Sequence, residues 1–158
     1  MIPLVVFDID GTLIGASGQV DNRFWDAAEE VLAAGVKMAV CTGRPGMGIA
    51  LKIATRLGAT NPHVFQSGAH VGYTGGRTVK VVALKESDTR QIIELSRDAG
   101  AVLELYTPNA LYVERTTDLS ERHAAMIGVT ALVRDLEEVA ASEPVVRAQW
   151  VVPLSEQM

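Results

Sequence analysis

"VVFDIDGTLIG", residues 5–15, is the stretch on which the reading of this chain turns. An apolar run passes straight into two acids one residue apart, Asp8 and Asp10, and then into a glycine, a hydroxyl residue and a second apolar pair. Residues 2–7, "IPLVVF", read as a short strand of the kind buried on both faces of a parallel sheet. Residues two apart on a strand point the same way, so both carboxylates can face one spot where the strand ends. Two such charges repel unless a cation neutralises them, and a hard cation with oxygen ligands is the natural solution. Magnesium takes one or two carboxylates together with phosphate oxygens and water. A carboxylate can also attack phosphorus. Gly11 permits a tight turn in which backbone amides approach a phosphate. A bare D-x-D also occurs as a pair of loop acids, but "DIDGTL" directly after an apolar strand is far more specific.

Working outward, residues 22–34 read as a helix with Trp25, Ala28 and Leu32 on one face and Phe24, Ala27 and Val31 beside it. Asp21 or Asn22 can cap its start and Gly35 follows its end. "VKMAVC", 36–41, is a second strand, 47–57 a second helix stopped by Gly58, and "HVFQ", 63–66, a third strand. Alternating strands and helices imply right-handed crossovers and a parallel sheet with helices on its faces. In such sheets ligands bind beyond the carboxyl ends of the strands, where Asp8, Asp10, Thr42 and Ser67 all fall.

The rhythm changes from about residue 69. "AHVGY" and "RTVKVV" flank "TGG", a hairpin signal, and a helix follows from about 87 to 99, stopping at Gly100. "AVLELYT" and "ALYVER" flank "PN" as a second hairpin. Two shorter helical stretches, "LSERHAAMIG" and "LEEVAAS", precede a last strand, "VVRAQWVV". This half reads as α+β, with a boundary near residue 82.

The bulk numbers set limits. A chain of 158 residues with nearly half its residues hydrophobic can form a core. A net charge of −5, with acids and bases interspersed, argues against nucleic acid and against a polybasic membrane patch. Small anionic substrates are not excluded. One cysteine, Cys41, precludes an internal disulfide and fits a reducing cytoplasm. No apolar run approaches the roughly 20 residues of a membrane helix, and the N-terminus does not read as a signal peptide.

"FDIDGTLI" resembles the first motif of the haloacid dehalogenase superfamily, and "VKMAVCTGRP" its second. Their order and spacing are similar to the Cof-type (subclass IIB) members, and "VFQSGAHVGYTGGRTV" resembles the segment leading into their cap. The resemblance implies a Rossmann-like parallel core over 1–82 and a C2-type α/β cap over 83–158, both partial. It implies magnesium-dependent phosphomonoester hydrolysis through an aspartyl-phosphate, on a small phosphorylated metabolite such as a sugar phosphate. By resemblance Asp8 is the nucleophile and Asp10 the general acid/base. The metal touches the Asp8 side chain and the Asp10 backbone carbonyl. Gly11, Thr12, Thr42 and Gly43 hold the phosphate. Arg44, from the "TGR" variant, meets substrate or ties down its loop, and Ser67 is a second candidate for substrate contact.

Two departures stand out. The subgroup often has "NGA" where this chain has "SGA", so Ser67 replaces an asparagine. The family's third-motif lysine and fourth-motif acids follow the cap, and no such pattern occurs after residue 86; Lys85 is the last lysine. Lys52, Lys80 and Lys85 are poor substitutes. The chain therefore reads as the N-terminal portion of such an enzyme, and alternatives are a vestigial protein without turnover or a sugar phosphomutase-like transferase. Strand 2–7 would then have an open edge, for which a second copy or a partner segment is expected. Elsewhere the bland readings prevail. Cys41 is a small buried residue, His63, His70 and His123 are structural, Tyr106, Tyr112 and Trp150 pack, and "RDLEEVAASE" is a solvated face.

Overall fold

The computed structural model describes residues 4–153, which form two compact units dividing between Lys80 and Val81. Ile2 and Pro3 of the expected first strand lie outside the described residues. The first unit opens with β1 (Leu4–Phe7), α1 (Asn22–Ala33), β2 (Lys37–Val40), α2 (Gly48–Gly58) and β3 (His63–Phe65). β1 and β2 pair in parallel, Leu4 opposite Lys37 through Phe7 opposite Val40. The expected third parallel strand does not extend this ladder. A single parallel bridge, Cys41 to Val64, links the pair to β3, which instead heads an antiparallel sheet with β4 (His70–Gly72) and β5 (Thr78–Val81).

His63 explains part of that break. The Val40 amide donates to its Nδ1 at 3.2 Å, where a ladder bond would otherwise run, and its Nε2 donates to the Gly58 carbonyl at 2.9 Å. Only the neutral Nε2–H tautomer satisfies both partners.

α1 is capped by Asp21, whose carboxylate accepts from the Arg23 amide at 2.8 Å, while Gly35 turns away from the helix end at φ +83°. The helix buries Trp25 and Ala28; Phe24, Val31 and Leu32 are partly covered, and Ala27 faces outward. Arg56 of α2 stacks on Trp25 at 4.1 Å and pairs with Glu29 at 3.0 Å, fastening the two helices. The last residue of α2, Gly58, has no room for a side chain: a Cβ there would stand 2.7 Å from the Met38 carbonyl. The strand expected to be buried on both faces is instead open, with Leu4, Val5 and Val6 exposed, because β2 is the one strand paired with it among the described residues. Cys41, expected to be buried, is also exposed. It lies just past β2 on the face opposite to Val40 and Thr42.

The second unit consists of α3 (Glu86–Asp98), β6 (Val102–Tyr106), β7 (Leu111–Val113), α4 (Asp118–Ile127), β8 (Ala131–Val133), α5 (Leu136–Ser142) and β9 (Arg147–Val151). Its sheet runs β8-β7-β6-β9, antiparallel except between β7 and β8. β8 is a strand of three residues that the sequence reading missed. Leu103, Leu105 and Tyr112 pack against Ile93 of α3 and Leu136 and Val139 of α5. α5 is thus not a merely solvated stretch: the spacing of Leu136, Val139 and Ala140 gives it a buried face, and its Glu137 pairs with Arg97 at 3.3 Å and with Arg90.

On the other face of β6, Glu104 is wholly buried, accepting from the Tyr106 hydroxyl at 2.6 Å and facing His123 Nδ1 of α4 at 2.8 Å. Burial, and then the adjacent Glu104, push the Tyr106 phenol up. Tyr106 and Tyr112 are packed as expected, but Trp150 is half exposed on edge strand β9, its Nε1 donating to Ser96 at 2.5 Å.

Candidate active site

The acid pair is positioned by one buried side chain and one carbonyl. Ile9, fully buried, anchors the segment, so Asp8 and Asp10 on either side of it point outward. The chain then winds round the Ile9 carbonyl, which accepts from the amides of Thr12 at 3.4 Å, Leu13 at 2.9 Å and Ile14 at 2.8 Å. Gly11 makes this winding possible at φ +76° and donates its own amide to the Ile14 carbonyl at 2.9 Å. The amides of Gly11 and Thr12, expected to face a phosphate, are therefore engaged within the turn, and the exposed Thr12 side chain is what remains open to a ligand.

The second loop leaves the sheet beside the first. The Cys41 amide donates to the Phe7 carbonyl at 2.8 Å, which brings residues 41 and 42 alongside Asp8. Thr42 is buried, donates its amide to the Val64 carbonyl at 3.0 Å, and accepts the Arg44 amide on its hydroxyl at 3.1 Å. That hydroxyl keeps its own proton to donate. The amides of Gln66 and Ser67 donate to the carbonyls of Arg44 and Thr42, each at 3.0 Å, lacing residues 42–44 to the end of β3. Gly43 faces the Ser67 hydroxyl closely: a Cβ on Gly43 would lie 3.4 Å from it.

Gln66 and Ser67 both adopt left-handed backbone, at φ +51° and +54°, inside a single 3-10 turn, Gln66–Gly68. Two consecutive non-glycine residues in this region represent strain of the kind that collects at functional sites. Asparagine tolerates this region better than serine does. The backbone alone therefore gives a reason for asparagine at position 67, independent of any contact with substrate.

Arg44 closes the site. Its Nε donates to Asp10 Oδ2 at 2.8 Å and its Nη2 to Oδ1 at 2.7 Å, a two-pronged fork joining the two loops across 34 residues of sequence. The guanidinium is largely covered and its Nη1 is buried without a hydrogen-bond partner, whereas the Asp10 side chain is more than half exposed. The hydrogen bond from Arg44, reinforced by its charge and partly opposed by burial, holds the Asp10 carboxyl below the usual carboxylate range; the Arg44 guanidinium is raised in turn. Of the expected site residues, Asp10, Thr42, Gly43, Arg44 and Ser67 are thus joined by direct contacts, and Asp8 adjoins them through the strand pairing. The Asp10–Arg44 pair and the left-handed turn were not visible in the motifs. An arginine directly after Thr-Gly at a neighbouring strand end was the available signal.

Among the described residues no three His, Cys, Asp or Glu side chains form a metal-binding group. Magnesium does not require one. The Asp8 carboxylate is exposed, and the Asp10 carbonyl accepts no backbone hydrogen bond among the described residues. Two protein oxygens of this kind, with phosphate oxygens and water completing the shell, suit that ion.

Adjacent parallel strands that end in Asp-x-Asp and in Thr-Gly-Arg define a class of α/β domain whose ligand site lies at the strand ends. The chain belongs to the haloacid dehalogenase-like hydrolases, whose family model matches residues 5–142. It is 26% identical over 147 residues to a provisional phosphatase, M6_Spy0533 of Streptococcus pyogenes serotype M6, covering 90% of this chain and 55% of that protein. In fold it resembles BT1666 of Bacteroides thetaiotaomicron, described among phosphatases of the haloalkanoate (HAD) superfamily, with 25% identity, TM-score 0.68 and coverage of 92% and 54%. It also resembles BT4131, described as a HAD subclass IIB sugar phosphatase, with 19% identity, TM-score 0.68 and coverage of 89% and 55%. The chain spans about half the length of the curated relatives it matches. No helix among the described residues is long and apolar enough to cross a membrane.

Proposed function

We propose that this chain carries the nucleophile-bearing part of a magnesium-dependent phosphomonoester hydrolase. Residues 1–82 serve as its catalytic portion and 83–158 as its substrate-selecting cap. The observation that carries the reading is the placement of exposed Asp8 just past the end of β1, alongside the loop that follows the paired strand β2 and carries Thr42.

Asp8 attacks phosphorus in line, and the phosphorus–oxygen ester bond breaks as Asp10, which has first to leave the Arg44 fork and take up a proton from solvent, gives that proton to the departing oxygen. Asp10 then takes a proton from water, which attacks the aspartyl-phosphate and releases inorganic phosphate with Asp8 regenerated. Thr42 donates its hydroxyl hydrogen to a phosphate oxygen throughout, and charge neutralisation does most of the catalytic work. Magnesium, held by the Asp8 carboxylate and the Asp10 carbonyl, would supply positive charge to the transferring phosphoryl group. The likeness to a subclass IIB sugar phosphatase favours a sugar phosphate as substrate. A reducing cytoplasm suits the single cysteine.

The test is phosphate release from a generic aryl phosphate with and without magnesium. Asp8→Asn is expected to abolish the magnesium-dependent release, and retained turnover would refute the assignment. A protein that binds phosphate without turning it over is the second reading, favoured by the Arg44 fork that engages Asp10. It predicts no release from the wild-type chain itself.

A further inference from the structure

We propose that Arg44 is the phosphate receptor of this site, and that the Asp10 carboxylate occupies that receptor as an internal stand-in for the phosphate. The proposal rests on the reading that phosphate enters between the two loops, and it assigns the countercharge that no motif in this sequence supplies.

The fork has the geometry of anion recognition. A guanidinium presents parallel N–H groups that match two oxygens of a carboxylate or of a phosphate alike. The two N–H groups used by Asp10, at 2.8 and 2.7 Å, belong to Nε and Nη2. Arg44 is anchored while Asp10 is not: the arginine side chain is 20% exposed and its backbone carbonyl is tied to Gln66, while 57% of the Asp10 side chain is exposed. The fixed partner is therefore the cation and the replaceable partner is the carboxylate. Nη1 is buried without an acceptor, so Asp10 leaves the guanidinium incompletely satisfied, and such a donor carries a standing penalty. A phosphate offers more oxygens and more charge than Asp10 does. Thr42 stands on the same loop, two residues away, with a hydroxyl hydrogen to give. Of the other arginines of this unit, Arg23 is engaged by Asp21 and Arg56 by Glu29, and Arg77 stacks on Tyr73. The exchange breaks no covalent bond: the guanidinium leaves one oxyanion for another, and the Asp10 carboxylate is released.

The experiment is a titration of the full chain with inorganic phosphate, followed by NMR at the Arg44 side-chain Nε–H and the Gly43 amide, without metal. Four proteins are compared: wild type, Asp10→Asn, Arg44→Met and the double variant. Removing the competing carboxylate is expected to tighten phosphate about tenfold when Arg44 is present and less than about twofold when it is Met. Arg44→Lys, which keeps the charge and loses the fork, is expected to show an intermediate gain and serves if Arg44→Met does not fold. An equal gain in both backgrounds would mean that Asp10 acts only by repulsion, and would overturn the proposal. So would phosphate leaving the Arg44 resonance unmoved in Asp10→Asn. The outcome is separable from the proposed reaction. Phosphate captured by Arg44 in a chain without turnover keeps this inference and sinks the hydrolase reading; turnover with no Arg44-dependent gain does the reverse.

Discussion

The two units build their sheets in opposite ways. β1, "LVVF", is wholly apolar and exposes Leu4, Val5 and Val6; β6, "VLELY", has an acid at its centre, and Leu103 through Tyr106 are all buried. The difference lies in neighbours. β6 is paired on both edges, by β7 and β9, with α3 and α5 beneath one face and α4 above the other. β1 pairs only with β2 among the described residues, and past β2 the parallel pairing is reduced to a single bridge beside His63. Burial therefore follows position in the sheet before composition. The buried Glu104 carboxylate is met by a tyrosine hydroxyl and an imidazole at Oε2, while its Oε1 is buried without a partner.

The largest effect should come from the centre of the continuous sheet. Leu105 is fully buried between α3 and α5, so Leu105→Ala should cost about 2–5 kcal/mol, read as a loss of urea midpoint. A cost below about 1 kcal/mol would mean that β6 is no better packed than the edge strand, and the contrast would fail.

The seam of the first unit is next. Burial lowers the His63 pKa by disfavouring the charged ring, and the hydrogen bond to the Gly58 carbonyl opposes this only in part. The unfolded chain, with histidine near about 6.5, then binds the proton more readily than the folded one. Stability from this group is complete above about pH 6.5 and is lost as pH falls from there through the lowered folded value. His70, also lowered by burial, acts in the same direction. Urea unfolding at about pH 7.5 and about pH 5.5 should show the decline, and His63→Asn should flatten part of it. An unchanged slope in His63→Asn would show that the seam does not depend on that ring. The carboxylates are separate: Asp10, held low by Arg44, loses its contribution only as pH falls below about 4.

These elements also show what could be read before folding and what could not. The helices and strands of both halves follow from periodicity, caps and glycines, because those signals are local: Asp21 caps α1 and Gly35 follows it as the sequence implies. The placement of Asp8, Asp10 and Thr42 just past the ends of β1 and β2 was legible because a motif fixes them relative to a strand end. The break at His63, the exposure of β1 and Cys41, and the Asp10–Arg44 fork were not, since each depends on partners more than 20 residues away. β8 was missed because three residues are too few to show a period.

A smaller effect, of opposite sign, belongs to the turn that follows the seam. Ser67 sits at φ +54° and ψ +32°, where asparagine is favoured over serine. Ser67→Asn should stabilise the chain by about 0.5 kcal/mol, measured as a rise in urea midpoint. If it destabilises, the Ser67 hydroxyl beside Gly43 contributes more than the backbone strain costs, and serine there would be chosen for its contact.

The smallest effect on the isolated fold is expected at the open edge, and there it bears on association. Val6 is 50% exposed, so Val6→Lys should change stability at low protein concentration by less than about 0.5 kcal/mol. Unpaired N–H and C=O groups beside apolar side chains make β1 a template for another strand, and a lysine on an edge opposes such pairing. We propose that the wild-type chain covers β1 by pairing with a second copy. Sedimentation should then show a concentration-dependent dimer for wild type and a monomer for Val6→Lys. A wild-type chain that stays monomeric and soluble at high concentration would show that an apolar edge strand of four residues is short enough to remain open. A dimer that survives Val6→Lys would place the interface elsewhere, with Trp150 on edge strand β9 the next surface to alter.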